Sequence, residues 1–317
     1  MPRATLLALA LAIAASERVY YSWTPENSSF IPFSKPLPTD SIHVLTAEQK
    51  KEPFKFKGQA QQDRICLETF SDMKGGYYVD LAAHHWKLGS NSYNLEAYND
   101  WRGICIEANP HDLMGLLAYR KCALYINPVG AVTGEKLKFN FHFHLKKRGG
   151  AFGGLVGPDF DHTVNDTEHD VEVNTVSLAS ILDHAQAPTA IQYLSLDIEG
   201  AEYFALKNFP FDKRRFLMIT IERPARQLHL LLVKNGYIFV SELTRGDFGE
   251  CLYLHGSIEN LGGHVKKWTD GAVWPPKWWG QERLYLTQPS WNGSTEAYLE
   301  EARRLQVSAK PRPPTRT

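Results

Sequence analysis

The sequence predicts an α/β protein built on a mainly parallel sheet that ends in one antiparallel strand. Three observations carry that expectation. Short apolar runs alternate with segments of helical periodicity between Gly76 and Asn235, a rhythm that implies right-handed crossovers between parallel strands. Four of the runs end in a carboxylate, at Asp80, Glu107, Asp197 and Glu222, so a single rim of the sheet should gather the acids. The last two runs, Tyr237 to Leu243 and Glu250 to Leu254, are joined by a loop containing Gly246, Asp247 and Gly249. That loop is too short for a crossover helix, so these two strands should pair antiparallel.

Residues 1–16 read as a signal peptide or signal anchor: Arg3 precedes an apolar stretch from Ala4 to Ala15, interrupted by Thr5, and small residues near Ser16 permit cleavage. That stretch is too short for a comfortable bilayer span, and no later one is long and apolar enough. Residues 17–62 form an extended leader broken by Pro32, Pro36 and Pro38. The folded domain is expected over 63–256. Gly76 to Ala83 is its first strand, Ser90 to Tyr98 the next helix with Ser90 or Asn91 as cap, and Gly103 to Glu107 the second strand. After the Asn109-Pro110 turn, Leu113, Leu116 and Leu117 form the buried stripe of a helix, and Cys122 to Val129 supplies a third strand. Lys136 to Leu145 alternates with period two, which suits a half-exposed strand and puts His142 and His144 on one face. A zinc site needs a third ligand that the spacing does not place.

Val171 to Val176 is a further short strand and Leu178 to His184 a brief helix. The stretch Tyr193 to Glu202 then runs from strand through an acidic cluster and Gly200 into a helix ending before Phe209-Pro210. Phe216 to Glu222 is another strand, followed by Arg223-Pro224, a helix from Gln227 to Lys234 and the stop Asn235-Gly236. From Ser257 the rhythm ends. Residues 257–317 read as an extension rich in tryptophan (Trp268, Trp274, Trp278, Trp279, Trp291) that packs on the domain, with a polar tail from Lys310.

Composition limits the partners. With 317 residues, 43% hydrophobic and 22% charged, the chain can bury a sizeable core. Lys plus Arg equals Asp plus Glu at 35 each, so no global field favours nucleic acid. Runs such as Lys146-Lys147-Arg148 read as solvated surface. Glycosylation acceptor triplets begin at Asn27, Asn165 and Asn292. Four cysteines allow up to two disulfides in three pairings, and buried free thiols are an equal expectation for Cys105 and Cys122 in their strand-like runs.

The acidic rim suggests chemistry. An acid after the second strand can accept both ribose hydroxyls of an adenosine-containing ligand, which makes Glu107 the first candidate, with Asp80, Ala82, His84, Asn91 and Asn109 around the same ligand. The loop after Asp80 has no GxGxxG to cradle a pyrophosphate, which disfavours NAD and FAD. An adenosine bearing a positive sulfur, S-adenosylmethionine, fits a carboxylate-lined pocket better. For transfer to a hydroxyl, a base must stand by the attacking oxygen. Asp197 is the leading catalytic candidate, with Glu199 and Glu222 as alternatives. Asp197, Glu199, Glu202 and Glu222 would also suit a divalent cation, but the sequence does not separate such a site from salt-bridged acids, and no metal is expected.

Taken together, Gly76-Tyr77-Tyr78-Val79-Asp80-Leu81-Ala82-Ala83, Ser90-Asn91-Ser92, Trp101 to Pro110, Leu194 to Glu202 and Ile219-Thr220-Ile221-Glu222 resemble the FkbM family of S-adenosylmethionine-dependent methyltransferases, in a divergent eukaryotic form. The sharpest motif is Asp197-Ile198-Glu199-Gly200-Ala201-Glu202. The resemblance covers Asp63 to Leu254 and implies a seven-stranded Rossmann-like methyltransferase sheet, cofactor binding by the loop after Asp80 and by Glu107, and methylation of an oxygen on a sugar or small molecule. Family members usually carry glycine where this chain has Ala82, and commonly another at the place of Trp86 or Lys87. The expected setting is the secretory pathway, either secreted or in the ER or Golgi lumen, with a small-molecule or glycan acceptor. The alternative is a non-catalytic secreted or lumenal module that retains the fold.

Overall fold

The computed structural model describes residues 20–24, 29–33, 54–140, 153–157, 160, 170–243, 249–269, 300 and 304. The expected targeting segment, the acceptor asparagines Asn27, Asn165 and Asn292, the pair His142 and His144, the run Lys146-Lys147-Arg148 and the tail from Lys310 lie outside these residues. No described helix is long and apolar enough to cross a membrane.

The elements follow the predicted rhythm closely. In chain order they are β1 (Tyr20–Thr24), β2 (Ser29–Phe33), α1 (Gln62–Thr69), β3 (Tyr77–Leu81), α2 (Tyr93–Asn99), β4 (Arg102–Ile106), α3 (Pro110–Tyr119) and β5 (Ala123–Tyr125). Next come β6 (Val129–Gly130), β7 (Lys136–Asn140), β8 (Gly154–Val156), β9 (Asp170–Asn174), β10 (Val176–Ser177) and α4 (Leu178–His184). The last group is β11 (Ala190–Leu196), α5 (Glu202–Leu206), β12 (Arg215–Glu222), α6 (Arg226–Lys234), β13 (Tyr237–Glu242), β14 (Glu250–His255) and α7 (Leu261–Thr269).

The main sheet has the order β13-β14-β12-β11-β3-β4-β5-β1-β2. Leaving aside the β1–β2 hairpin, seven strands remain, and only β14 runs against its neighbours. The chain builds outward from β3 in one direction through β4 and β5, then returns to β3's other side with β11 and β12. That reversal of order between β3 and β11 opens a crevice at the strands' carboxyl ends. Within the expected leader, β1 pairs parallel with β5 and antiparallel with β2.

Both faces of the sheet are covered, and strand alternation divides the core in two. Val79, Leu81, Ile104, Ile106, Leu194, Leu196, Ile219 and Ile221 point to one layer with α4, α5 and α6. Tyr78, Cys105, Tyr193 and Met218 point to the other with α1, α2, α3 and α7. Gly103 has a packing reason: a Cβ there would lie 2.4 Å from the Tyr78 carbonyl oxygen. Past Ser257, where the sequence offers no further element, the chain still forms helix α7. It docks through Leu261 and Val265, and Trp268 Nε1 donates to Thr69 Oγ1 at 3.1 Å, while the other tryptophans of the extension lie outside the described residues.

Cys105 and Cys122 form a disulfide, and Cys66 and Cys251 are buried free thiols. Of the alternatives the sequence leaves open for Cys105 and Cys122, the structure has the disulfide and not the free thiols. Parallel neighbours β4 and β5 bring the end of one run beside the start of the next, a proximity that spacing alone does not reveal. The insertion between β5 and α4 forms a small antiparallel sheet, β8-β7-β9. Its Phe139 and Leu155 pack with Ala201 at the start of α5, which sets the insertion beside the crevice.

Candidate functional site

The crevice is an open cleft with about 910 Å³ of empty space, its mouth included. Asp80, Ala82, His84, Asn91, Glu107 and Asn109 line it, and so do Asp197, Glu199 and Glu222. These nine candidate cofactor and catalytic residues therefore meet in one place. Parallel strands that share a direction end at one rim: Glu107, Asp197 and Glu222 each follow the last apolar residue of their strand, whereas Asp80, expected to end its strand, lies inside β3 one residue before Leu81.

At one end stands Glu107, just after β4 and 7% exposed. Its Oε2 accepts from the His84 backbone N–H at 2.8 Å and its Oε1 from that of Asn109 at 2.7 Å. Each oxygen keeps a further lone pair. Burial pushes the carboxyl up to about 7, and the neighbouring Asp112 adds to the rise against those two backbone bonds. His84 Nδ1 lies 3.1 Å from Asp112 Oδ2, and that bond holds the imidazole above its ordinary value despite desolvation. Ala82 and His84 have φ of 67° and 43°, the left-handed region that side chains resist. The loop is pinned there by Ala82 N and Ala83 N, which both donate to the Ile106 carbonyl, at 3.0 and 3.1 Å. His85 is committed to the loop: its Nδ1 accepts from the N–H groups of Lys87 and Leu88. Trp86 stacks on Tyr119 with centroids 4.2 Å apart, which packs the loop onto α3.

At the other end the turn after β11 aims acids into the cleft. Glu199 (φ 54°) and Gly200 (φ 91°) make the turn. It is locked by Glu202, whose Oε1 accepts from Ile198 N at 3.0 Å and Gly200 N at 3.1 Å. Glu202 therefore serves as the turn's anchor and does not line the cleft, which separates it from the acids it accompanies in sequence. Asp197 Oδ1 is shielded from solvent and has no hydrogen-bond partner among the described residues. Burial, then the charges of Glu222, Glu250, Glu199 and Glu202, hold this carboxyl well above the usual range. Arg223 Nη2 bridges Glu199 Oε2 at 2.9 Å and Glu222 Oε2 at 2.6 Å. Oxygens of Asp197, Glu199 and Glu222 all come within 4.8 Å of one another, a spacing compatible with a shared cation, but Arg223 already supplies positive charge to two of them.

Sequence reasoning missed Glu250. It begins β14, faces Glu222 across the ladder and lines the cleft. Burial pushes it up to about 8, with Glu222 adding to the rise against bonds from Thr220 and Gln62. Ser195 was passed over too, because it reads as part of a buried strand. Its Oγ accepts from Asn91 Nδ2 at 2.9 Å, and both residues line the cleft.

A nucleoside with a positive sulfur suits these walls. The Glu107 end offers a buried carboxylate beside small Ala82 and Ala83, and the cleft's charged lining is mainly acidic. Residues 80–239 match the family described as Methyltransferase FkbM domain. No curated protein and no solved structure matches the chain.

Proposed function

Because the chain belongs to the Methyltransferase FkbM domain family, we propose that it transfers a methyl group from S-adenosylmethionine to an oxygen of a sugar or small molecule. The observation that carries this reading is that Glu107 and Asp197, which follow different strands, line one cleft. The main sheet is read accordingly as a Rossmann-like methyltransferase sheet. When bound, S-adenosylmethionine supplies a methyl group made electrophilic by its positive sulfur. Glu107 would hold the ribose hydroxyls with its free lone pairs, and Asp80 would place negative charge near the sulfur.

The protein's part in transfer is alignment and proton removal. Asp197 accepts the proton of the acceptor hydroxyl. A carboxylate held above its ordinary pKa is a stronger base than one in water, and its unpartnered Oδ1 leaves room for that proton. Glu199 and Glu222, fixed by Arg223, orient the acceptor.

We also propose a secretory setting, supported by the Cys105–Cys122 disulfide and the apolar N-terminal stretch. In that setting the acceptor is a glycan or small molecule. The alternative of a non-catalytic module has one observation in its favour: a strained Ala82 where the family usually has glycine.

Calorimetry with S-adenosylhomocysteine and a turnover assay separate the two. Binding is expected, with Asp197→Asn lowering kcat by about a hundredfold or more while leaving cofactor Kd within about twofold. An absence of heat and of any shift in thermal midpoint would favour the module. Equal losses in Kd and kcat would remove Asp197 from its role.

A further inference from the structure

We infer that Arg120, whose side chain does not line the cleft, is the positioning residue for the cleft's cofactor end; this rests on reading that end as a nucleoside site. Arg120 follows α3, and its side chain is 0% exposed. Its Nη2 donates to Ser92 Oγ at 2.8 Å and to Tyr78 Oη at 2.9 Å, and its Nη1 donates to Ser90 Oγ at 3.2 Å. Nε lies 3.4 Å from Glu96 Oε2. Ser92 Oγ in turn donates to Asp80, a cleft residue. Asn91 sits between the two serines and reaches Ser195. One guanidinium therefore supports both the floor of the cleft, at Asp80, and its wall, at Ser90 to Ser92.

Two buried carboxylates share this cation, Asp80 and Glu96, and they depend on it unequally. Glu96 also accepts from Lys121 N at 2.7 Å, Cys122 N at 3.1 Å and Tyr78 Oη at 2.7 Å. Among the described residues, Asp80 has only serine hydroxyls besides, Ser92 and Ser195. Removing the guanidinium therefore falls hardest on Asp80, the one of the pair that faces the cleft. Burial works against the charge on Arg120, but Tyr78, Glu96 and Asp80 outweigh it and keep the guanidinium protonated. A buried ion group is often less stabilising than well-packed apolar side chains of the same volume. Its benefit here is that it fixes one ionisation state and one geometry beneath the ligand.

The test is calorimetric titration of the full chain with S-adenosylhomocysteine between pH 6.5 and 9, for wild type, Arg120→Met, Arg120→Lys and Ser92→Ala, with thermal midpoints in the same buffers. Arg120→Met should raise Kd about tenfold or more near pH 7, the scale of a lost hydrogen bond to a charged group. Without the guanidinium, Asp80 ionises at higher pH, so the ratio of variant to wild-type Kd should shrink as pH rises. Arg120→Lys keeps the charge without the fork and should fall between the two. Ser92→Ala removes the relay and leaves an Asp80 oxygen and an Arg120 N–H unpaired, so it should weaken binding and also lower the midpoint, by less than Arg120→Met does. A ratio that is flat with pH and merely follows the loss of midpoint overturns the positioning role, as does Ser92→Ala binding like wild type. If wild type itself gives no heat, the nucleoside reading fails and takes this inference with it.

Discussion

Replacing Glu107 with glutamine should stabilise the free protein at high pH while weakening cofactor binding. The buried carboxyl titrates near 7 against an ordinary 4.5, a displacement equivalent to about 3 kcal/mol between its two protonation states. The folded-state value is raised. Below pH 4.5 both folded and unfolded chains are protonated at this group, and stability is unaffected. As pH climbs toward 7 the unfolded chain gives up its proton while the folded one keeps it, so this group's contribution falls, and above 7 the loss levels off. Glutamine has no such slope. It brings a constant loss instead, because one of the two N–H donors, at His84 or Asn109, must face an amide NH₂, at about 1–3 kcal/mol. Urea melts of both proteins at pH 5, 6, 7 and 8 should thus show glutamine less stable at pH 5 and level or better at pH 8. Calorimetry with S-adenosylhomocysteine should show affinity reduced by about tenfold or more, from the loss of a charge-assisted bond to the ribose. A stability difference constant with pH would mean that the carboxyl is not displaced. Unchanged affinity would mean that Glu107 does not touch the ligand.

Two further outcomes are expected from the backbone and the disulfide. Ala82→Gly relieves a left-handed alanine, worth roughly 1–2 kcal/mol, against about 0.4–1 kcal/mol of added freedom in the unfolded chain. The denaturation midpoint should therefore rise slightly, and a clear drop would show that Ala82 is not strained. Paired Cys105→Ser and Cys122→Ser substitutions open a link with a sequence separation of 17. They should lower unfolding free energy by about 3 kcal/mol, as read from urea melts, and peptide mapping under non-reducing conditions should find the cross-link. Separate, unlinked peptides would refute the pairing.

Much of this architecture was legible because strand alternation and strand-end acids are local signals. Leu194, Leu196, Ile219 and Ile221 announce buried strands in the sequence, and Asp197 and Glu222 follow directly. What escaped was long-range. Glu250 starts its strand, and residues that start strands belong to the far rim of a parallel sheet. Only the reversal of β14 carries it to the same rim as the strand ends. Arg120 after a helix reads as surface, and nothing local says that Tyr78, Ser90 and Ser92 enclose it. Glu202 looked like one more acid of the cluster, yet its side chain turns back on its own loop. The β1–β2 hairpin lacked a sequence signal, since its second strand contains Pro32, a residue that usually argues against a strand.

Non-glycine residues on the cleft's loops, Gln61, Ala82, His84, Glu199 and Arg223 among them, hold positive φ. Valine, isoleucine and threonine are all but barred from such backbone, whatever room their side chains would find. Mutational drift at these positions is thereby channelled toward glycine, asparagine and aspartate. The mouth of the cleft can change its charge and polarity far more readily than its shape.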